Sequence, residues 1–244
     1  MRNKGLKIIG LVLCSVGLGA GVLVAQAGSV VPVETSRVFV PSGFDDNDNV
    51  EVVLDGYLPS GCYKLLRPEV TIDAATRKVF VTPMARYFDV PCIEARVPYT
   101  YEVQLGALPQ GQFDVVTNAG ALTEKLTITE AANAGPDDFL YAPIDSVQVS
   151  KRHAGSRANV AILEGRFTNS CMQFKEVKII NSGATLEVLP VIELAERDGC
   201  TAMEFPFRKL VDLPEGIAPG RHLLHVRSLN GQAVNLVFSV GSDR

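Results

Sequence analysis

One spacing occurs twice in this chain and constrains it more than any other feature. Gly56-Tyr-Leu-Pro-Ser-Gly-Cys62 is matched by Gly165-Arg-Phe-Thr-Asn-Ser-Cys171. After each comes a β-rich run containing a proline, Pro83 or Pro190, and then a second cysteine, Cys92 or Cys200. A Pro-aromatic pair follows each second cysteine, Pro98-Tyr99 in one case and Pro206-Phe207 in the other. The pattern reads as one β module present twice. Four cysteines permit three pairings, and the repeat selects Cys62–Cys92 with Cys171–Cys200, each inside its own copy. Each bridge closes a loop of about 30 residues, which loop-closure entropy makes worth roughly 3–4 kcal/mol.

Such bridges need an oxidising compartment, and the start of the chain is consistent with one. Arg2, Lys4 and Lys7 precede an uncharged stretch from Ile8 to Ala25, and Ala25-Gln26-Ala27 has the small-x-small form of a cleavage site. Residues 1–27 are therefore expected to be a signal peptide, and the protein to be secreted or periplasmic. An uncleaved anchor is the alternative, since 18 uncharged residues are near the lower limit for a span. Lipidation at Cys14 is disfavoured by Leu13 before it. With cleavage no stable membrane span is expected. The net charge then moves from −4 to about −7, because three basic residues leave with the signal. An acidic chain without a basic run argues against nucleic acid as a partner.

Short runs rich in Val, Thr, Ile, Phe and Tyr alternate with Gly and Pro, which is strand-and-turn composition. The reading is two β-sandwich domains, residues 28–130 and 143–244, joined by a linker at 131–142 with little strand character. Strands are expected at Ser29–Pro41, Val50–Leu54, Lys78–Met84, Cys92–Val97, Thr100–Leu105, Gln112–Val116 and Leu122–Thr129, with short strand candidates at Tyr63–Leu66 and Glu69–Ile72. In the second copy they fall at Ile144–Val149, Val160–Leu163, Phe174–Ile180, Thr185–Leu194, Phe205–Leu213, His222–Val226 and Ala233–Val240. Asn230-Gly231 is the strongest hairpin cue, because both residues tolerate positive φ.

The two Gly-to-Cys stretches, the second cysteines and the Pro-aromatic pairs together resemble the tandem immunoglobulin-like modules of secreted bacterial proteins. The resemblance implies an all-β fold of two tandem immunoglobulin-like β-sandwich domains after a signal peptide. It implies a binding or structural role by analogy only. The chain departs from antibody-type domains in having no tryptophan to pack on the bridge.

Catalytic sets are missing from the sequence. No Gly-x-Ser-x-Gly elbow is present, every cysteine of the repeat has a partner, and the acidic pairs Asp45-Asp46 and Asp137-Asp138 read as solvated loop acids. His222 and His225 lie three apart in an expected strand, so they point to opposite faces and do not converge on a metal. His153 reads as part of a solvated basic loop. The protein is accordingly expected not to be an enzyme and to need no cofactor, with calcium as the one possible ion. Asp45-Asp46-Asn47-Asp48-Asn49 resembles the Asp-x-Asn-Asp-Asn linker of cadherins, which implies Asp45, Asn47, Asp48 and Asn49 as calcium ligands. Val50 stands where cadherins carry Ala-Pro, and the competing reading is an Asx-rich turn.

The expected role is an exported non-enzymatic binding or structural protein. Its partner would be another extracytoplasmic protein or a cell-surface component. Phe44, Tyr57, Tyr63, Tyr87 and Phe88 are candidate contact aromatics, with Tyr87-Phe88 the best placed, in a loop before Cys92. An inhibitor of an extracellular hydrolase and a calcium-dependent adhesion module are the alternatives.

Overall fold

The computed structural model describes residues 28–152, 159–195 and 199–241. The expected signal peptide, Cys14 and His153 lie outside the described residues. Strands of the first half are Ser29–Pro32 (β1), Thr35–Phe39 (β2), Phe44–Asp45 (β3), Val50–Leu58 (β4), Tyr63–Leu65 (β5), Glu69–Asp73 (β6), Lys78–Thr82 (β7), Met84–Tyr87 (β8), Val97–Gly106 (β9), Gly111–Thr117 (β10) and Leu122–Thr129 (β11). The second half has Ile144–Lys151 (β12), Asn159–Phe167 (β13), Met172–Ser182 (β14), Thr185–Leu194 (β15), Phe205–Asp212 (β16), Gly220–Ser228 (β17) and Gln232–Val240 (β18). The protein is all-β with a sandwich architecture, as expected.

Among the described residues no sheet mixes strands of the two halves. In the second lobe, β12-β13-β16 faces β14-β15-β17-β18, and Leu163, Leu186, Val188, Leu224 and Val226 fill the space between them. In the first lobe β2-β4-β9 faces β3-β11-β10-β7-β6 over Val52, Leu54, Val79, Phe113, Val115 and Leu126. Alternation explains the packing. β7 reads Lys-Val-Phe-Val-Thr, and only its two valines are buried. Both lobes contain a parallel pair at the same place, β7 with β10 and β15 with β17, and the first lobe has another, β3 with β11, unlike the antiparallel sheets of immunoglobulins.

The repeated residues occupy matching positions. Gly56 pairs across the ladder with Tyr99, and Gly165 with Phe207. A Cβ on Gly56 would come within 2.9 Å of the Tyr99 ring, and one on Gly165 within 2.7 Å of the Phe207 ring, besides overlapping the Pro143 carbonyl oxygen. The aromatic therefore lies across its glycine, which is why the two types recur together. Pro83 and Pro190 each accept a backbone hydrogen bond of 2.8 Å, from Val33 and Ala142 respectively. Both bridges form as the repeat requires, Cys62–Cys92 and Cys171–Cys200, each with a Cα–Cα distance of 5.5 Å.

Three details differ from the sequence reading. The opening strand Ser29–Pro41 is two strands, because the chain leaves the pairing with β8 at Pro32 and joins β4 at Thr35. The second lobe's continuous hairpin β14–β15 is broken in the first lobe into β5/β8 and β6/β7. Leu66-Arg67-Pro68 and Pro83 interrupt the ladder there, since proline has no donor. Cys92–Val97 is mostly loop, with a strand only from Val97. The Asn230-Gly231 hairpin forms, with φ of 63° and 66° at its two residues.

Candidate functional site

Two regions hold side chains that a sandwich core does not need. The first is the seam between lobes. On β4, Glu51, Val53 and Asp55 alternate outward from the first core, and on β17 Arg221, Leu223, His225 and Arg227 alternate outward from the second. Their pairs run in opposite order along the two strands. Arg221 donates from Nε and Nη2 to both Asp55 oxygens, at 2.6 and 2.5 Å. Val53 and Leu223 pack together with Phe39. His225 meets Glu51 at 3.3 Å. Arg227 Nη2 donates to Asp48 Oδ1 at 2.6 Å. Because β17 runs parallel to β15, which ends beside Cys171, this order places the two disulfides toward opposite ends of the molecule.

The seam's carboxylates are buried and hydrogen-bonded, while the buried His225 Nε2 has no hydrogen-bond partner among the described residues. Asp48, Glu51, Asp55 and Glu187 are each 2–4% exposed. Glu187 accepts from the Ser42 backbone and hydroxyl and from Ser182 Oγ. Glu51 accepts from Asn235 Nδ2 at 2.5 Å and from Gln104. Burial alone would raise its pKa, but the His225, Asn235 and Gln104 contacts outweigh burial and hold the carboxyl below its ordinary value. Burial dominates at Asp48 and pushes it up, against the opposing pull of Arg227. Burial also works against the charge of Arg227, yet the hydrogen bond and charge of Asp48 keep its pKa above the usual value. His225 Nδ1 faces the oxygens of Asn235 and Glu51, both acceptors, so Nδ1 carries the proton. His222 lies on the other face of β17 beside Phe238, its Nε2 donating to the Ala218 carbonyl. The two histidines diverge, as residues three apart on a strand must.

The Asp45–Asn49 loop closes one end of this seam. Asp45 Oδ1 accepts from the Asn47 backbone, and Asp48 Oδ2 accepts from the Asp45 backbone. Asp46 Oδ1 receives the Ala131 N–H, and Asn47 Nδ2 donates to the Asn133 carbonyl. Asp45 and Asp48 are thus buried, not solvated, and the loop is tied to the segment joining the lobes. Asp137, read as a solvated acid, accepts from the backbones of Asn230 and Gly231 at 2.7 and 2.8 Å. Among the described residues no three His, Cys, Asp or Glu side chains are grouped to hold a metal. Phe44, a candidate contact aromatic, is 1% exposed and meets His225 edge-on.

The second region is the disulfide end of the first lobe. Tyr63 and Tyr87 are ladder partners on β5 and β8, with ring centroids 5.1 Å apart. Beyond β8 the chain runs through an irregular loop to β9. The Phe88 N–H donates to the Cys62 carbonyl and the Gly61 N–H to the Ile93 carbonyl, so the bridge and the backbone both hold this loop. Val90, Ile93 and Val97 are 41%, 77% and 38% exposed. Tyr87 and Phe88, singled out from the sequence, are half-buried at its base. Tyr57 is covered by the Arg96 guanidinium, 4.6 Å from its centroid.

Sequence reasoning missed Glu51, Asp55, Glu187, Arg221, His225 and Arg227 as a set. A signal existed: acids at 51 and 55 and bases at 221, 225 and 227 each share one face of an otherwise apolar strand. Nothing in the sequence says that those faces meet.

This architecture and its stapled ends define a β-sandwich protein. Residues 52–128 match the model of a family described as the ORF11 beta-sandwich domain, a stretch that runs from within β4 to within β11 and includes the first bridge. No curated protein and no solved structure gave a match. Two disulfides in a β-sandwich fit a structural, non-enzymatic role. No helix among the described residues is long and apolar enough to cross a membrane.

Proposed function

We propose that the protein is an exported, non-enzymatic binding or structural protein built from two tandem copies of one stapled β-sandwich module. It works in an oxidising compartment, where each copy closes its own bridge. Its contact surface is the loop from Phe88 to Val97 at the first disulfide, and its partner is another extracytoplasmic protein or a cell-surface component. The observation that carries this reading is the exposure of Val90, Ile93 and Val97 on a loop pinned by the Cys62–Cys92 bridge. Exposed apolar side chains on a rigid frame lose little entropy when covered.

The test is a photo-crosslinker placed at Ile93 in the producing cell. A discrete adduct that disappears with Val90→Ser and Val97→Ser supports the reading. An adduct pattern identical to that from a crosslinker at exposed Thr123, on the far sheet, would remove it.

A further inference from the structure

The cleft beside the first bridge has a chemistry of its own, and the inference drawn from it rests on the contact surface proposed above. It encloses about 820 Å³, and its walls include Tyr63, Tyr87, Asp89, Val90, Pro91 and Glu94. Among the described residues two carboxylates line it, and no Lys, Arg or His does. Strand alternation is the reason. Lys64 and Arg86 are ladder partners one residue along from the tyrosine pair, so they project from the opposite face. Tyrosine faces carry negative potential, and carboxylates beside them add to it, which is the pairing that recognises a cation.

The second lobe shows that the fold does not demand this lining. Its ladder pair at the same position is Met172 with Leu194, and Leu194 is 55% exposed. The same stapled hairpin end is thus built with a thioether and an isobutyl group in one copy and with two phenols in the other. Tyr63 packs against the first core as Met172 packs against the second, so packing at this position does not require a phenol.

We infer that this cleft receives the ammonium or guanidinium group of a lysine or arginine side chain presented by the protein partner. The cation lies against the Tyr63 and Tyr87 rings, with Glu94 at the rim supplying charge and hydrogen-bond acceptors.

The test titrates the protein with Nα-acetyl-lysine amide and, in parallel, with Nα,Nε-diacetyl-lysine amide, which has the same stem without the charge. Ring-proton NMR signals of Tyr63 and Tyr87 report binding. The expected result is a saturable shift with the charged probe alone, weakened about tenfold by Tyr87→Leu and by Tyr63→Met. Both substitutions install what the other lobe already carries, so the thermal midpoint stays close to that of the parent. Glu94→Gln, on the exposed rim, gives a second variant that leaves the tyrosine packing untouched, and it should weaken the charged probe several-fold. Equal shifts with both probes, or no saturable shift with either, overturn the inference. If the Ile93 crosslink forms but survives acetylation of the partner's lysines, blocking of its arginines and Tyr87→Leu, the contact surface stands and the cation site falls.

Discussion

The outer faces of β4 and β13 occupy the same place in the two copies and meet opposite fates. Ladder registers align Glu51 with Val160, Val53 with Ile162 and Asp55 with Glu164, since Gly56 and Gly165 hold matching positions. In the first lobe this face is covered by β17 and its neighbours, and its two acids are paired with residues of the other lobe. In the second lobe Val160 is buried, but Ile162 and Glu164 are only partly covered. Glu164 meets residues of its own sheet, the Ser146 hydroxyl and Arg208, whose side chain is 62% exposed, and Leu210 beside them is 62% exposed too. The partner face diverges in the same way. Gly111 and Gly220 both open their strands with φ near +139° (138° and 139°), but Arg221, Leu223 and His225 correspond to Gln112, Asp114 and Val116. The scaffold is shared, and the charges that join the lobes exist once.

Charge removal should separate the two faces most sharply. Arg227→Met leaves Asp48 buried without its partner and is expected to cost about 3–5 kcal/mol. Arg208→Met, on the open face, should change stability by no more than about 0.5 kcal/mol. Urea melts of both variants check this, and equal losses would erase the distinction.

The repeated glycines give the next largest effect, and again an unequal one. Gly165→Ala meets a backbone carbonyl that cannot yield as well as the Phe207 ring, for an expected loss of about 3 kcal/mol. Gly56→Ala meets only the Tyr99 ring, at 2.9 Å, and should cost about 1–2 kcal/mol.

Acid should act through Glu51. Its carboxyl titrates below its ordinary 4.5 in the folded chain, so its contribution is present above that value and lost as pH falls through the lowered one. Asp48 opposes it: its pKa is raised above 3.8, so its contribution is present below that value and lost as pH rises through the raised one. Glu51→Gln should therefore flatten the acid limb of stability against pH, and Asp48→Asn should steepen it. Parallel curves for parent and both variants would contradict the assignment.

The smallest effect is at the alkaline end. Burial pushes the Tyr141 phenol up to about 12. Its contribution is intact below 10 and declines as pH rises through the folded value. Burial raises Tyr99 as well, so ultraviolet titration should show two late-ionising tyrosines among the six, with the Tyr141 component missing in Tyr141→Phe. The Asp45–Asn49 loop adds a ligand test. With its carboxylates engaged by protein donors, millimolar calcium should leave the melting temperature unchanged. A rise that Asp45→Ala abolishes would restore the cation-binding reading.

Local chemistry explains what was legible in the sequence. The glycine with the aromatic across from it, the bridges and the Asn230-Gly231 hairpin depend on residues within one lobe, and all but the hairpin occur twice in the sequence. What escaped depends on distance. Asp48 and Arg227 are 179 residues apart, and no local pattern tells a strand face covered by another lobe from one that meets water. The broken hairpin escaped for a different reason. Pro83 and Pro190 stand at matching positions, yet β15 continues through Pro190 while the first lobe's strand divides at Pro83. The added break at Leu66-Arg67-Pro68, which β14 lacks, decides between them. The tyrosine pair was half legible. Tyr63 and Tyr87 both stood out as aromatics near loops, but their adjacency follows from a three-residue strand that sequence reading leaves out of register.

A double-mutant cycle on Asp48 and Arg227, using Asp48→Asn and Arg227→Met, addresses the joined lobes most directly. If the seam holds the two copies together, the two losses fall short of additivity by about 1.5 kcal/mol or more. Losses that add to within about 0.5 kcal/mol would mean the residues do not meet, and the lobes would have to be joined some other way.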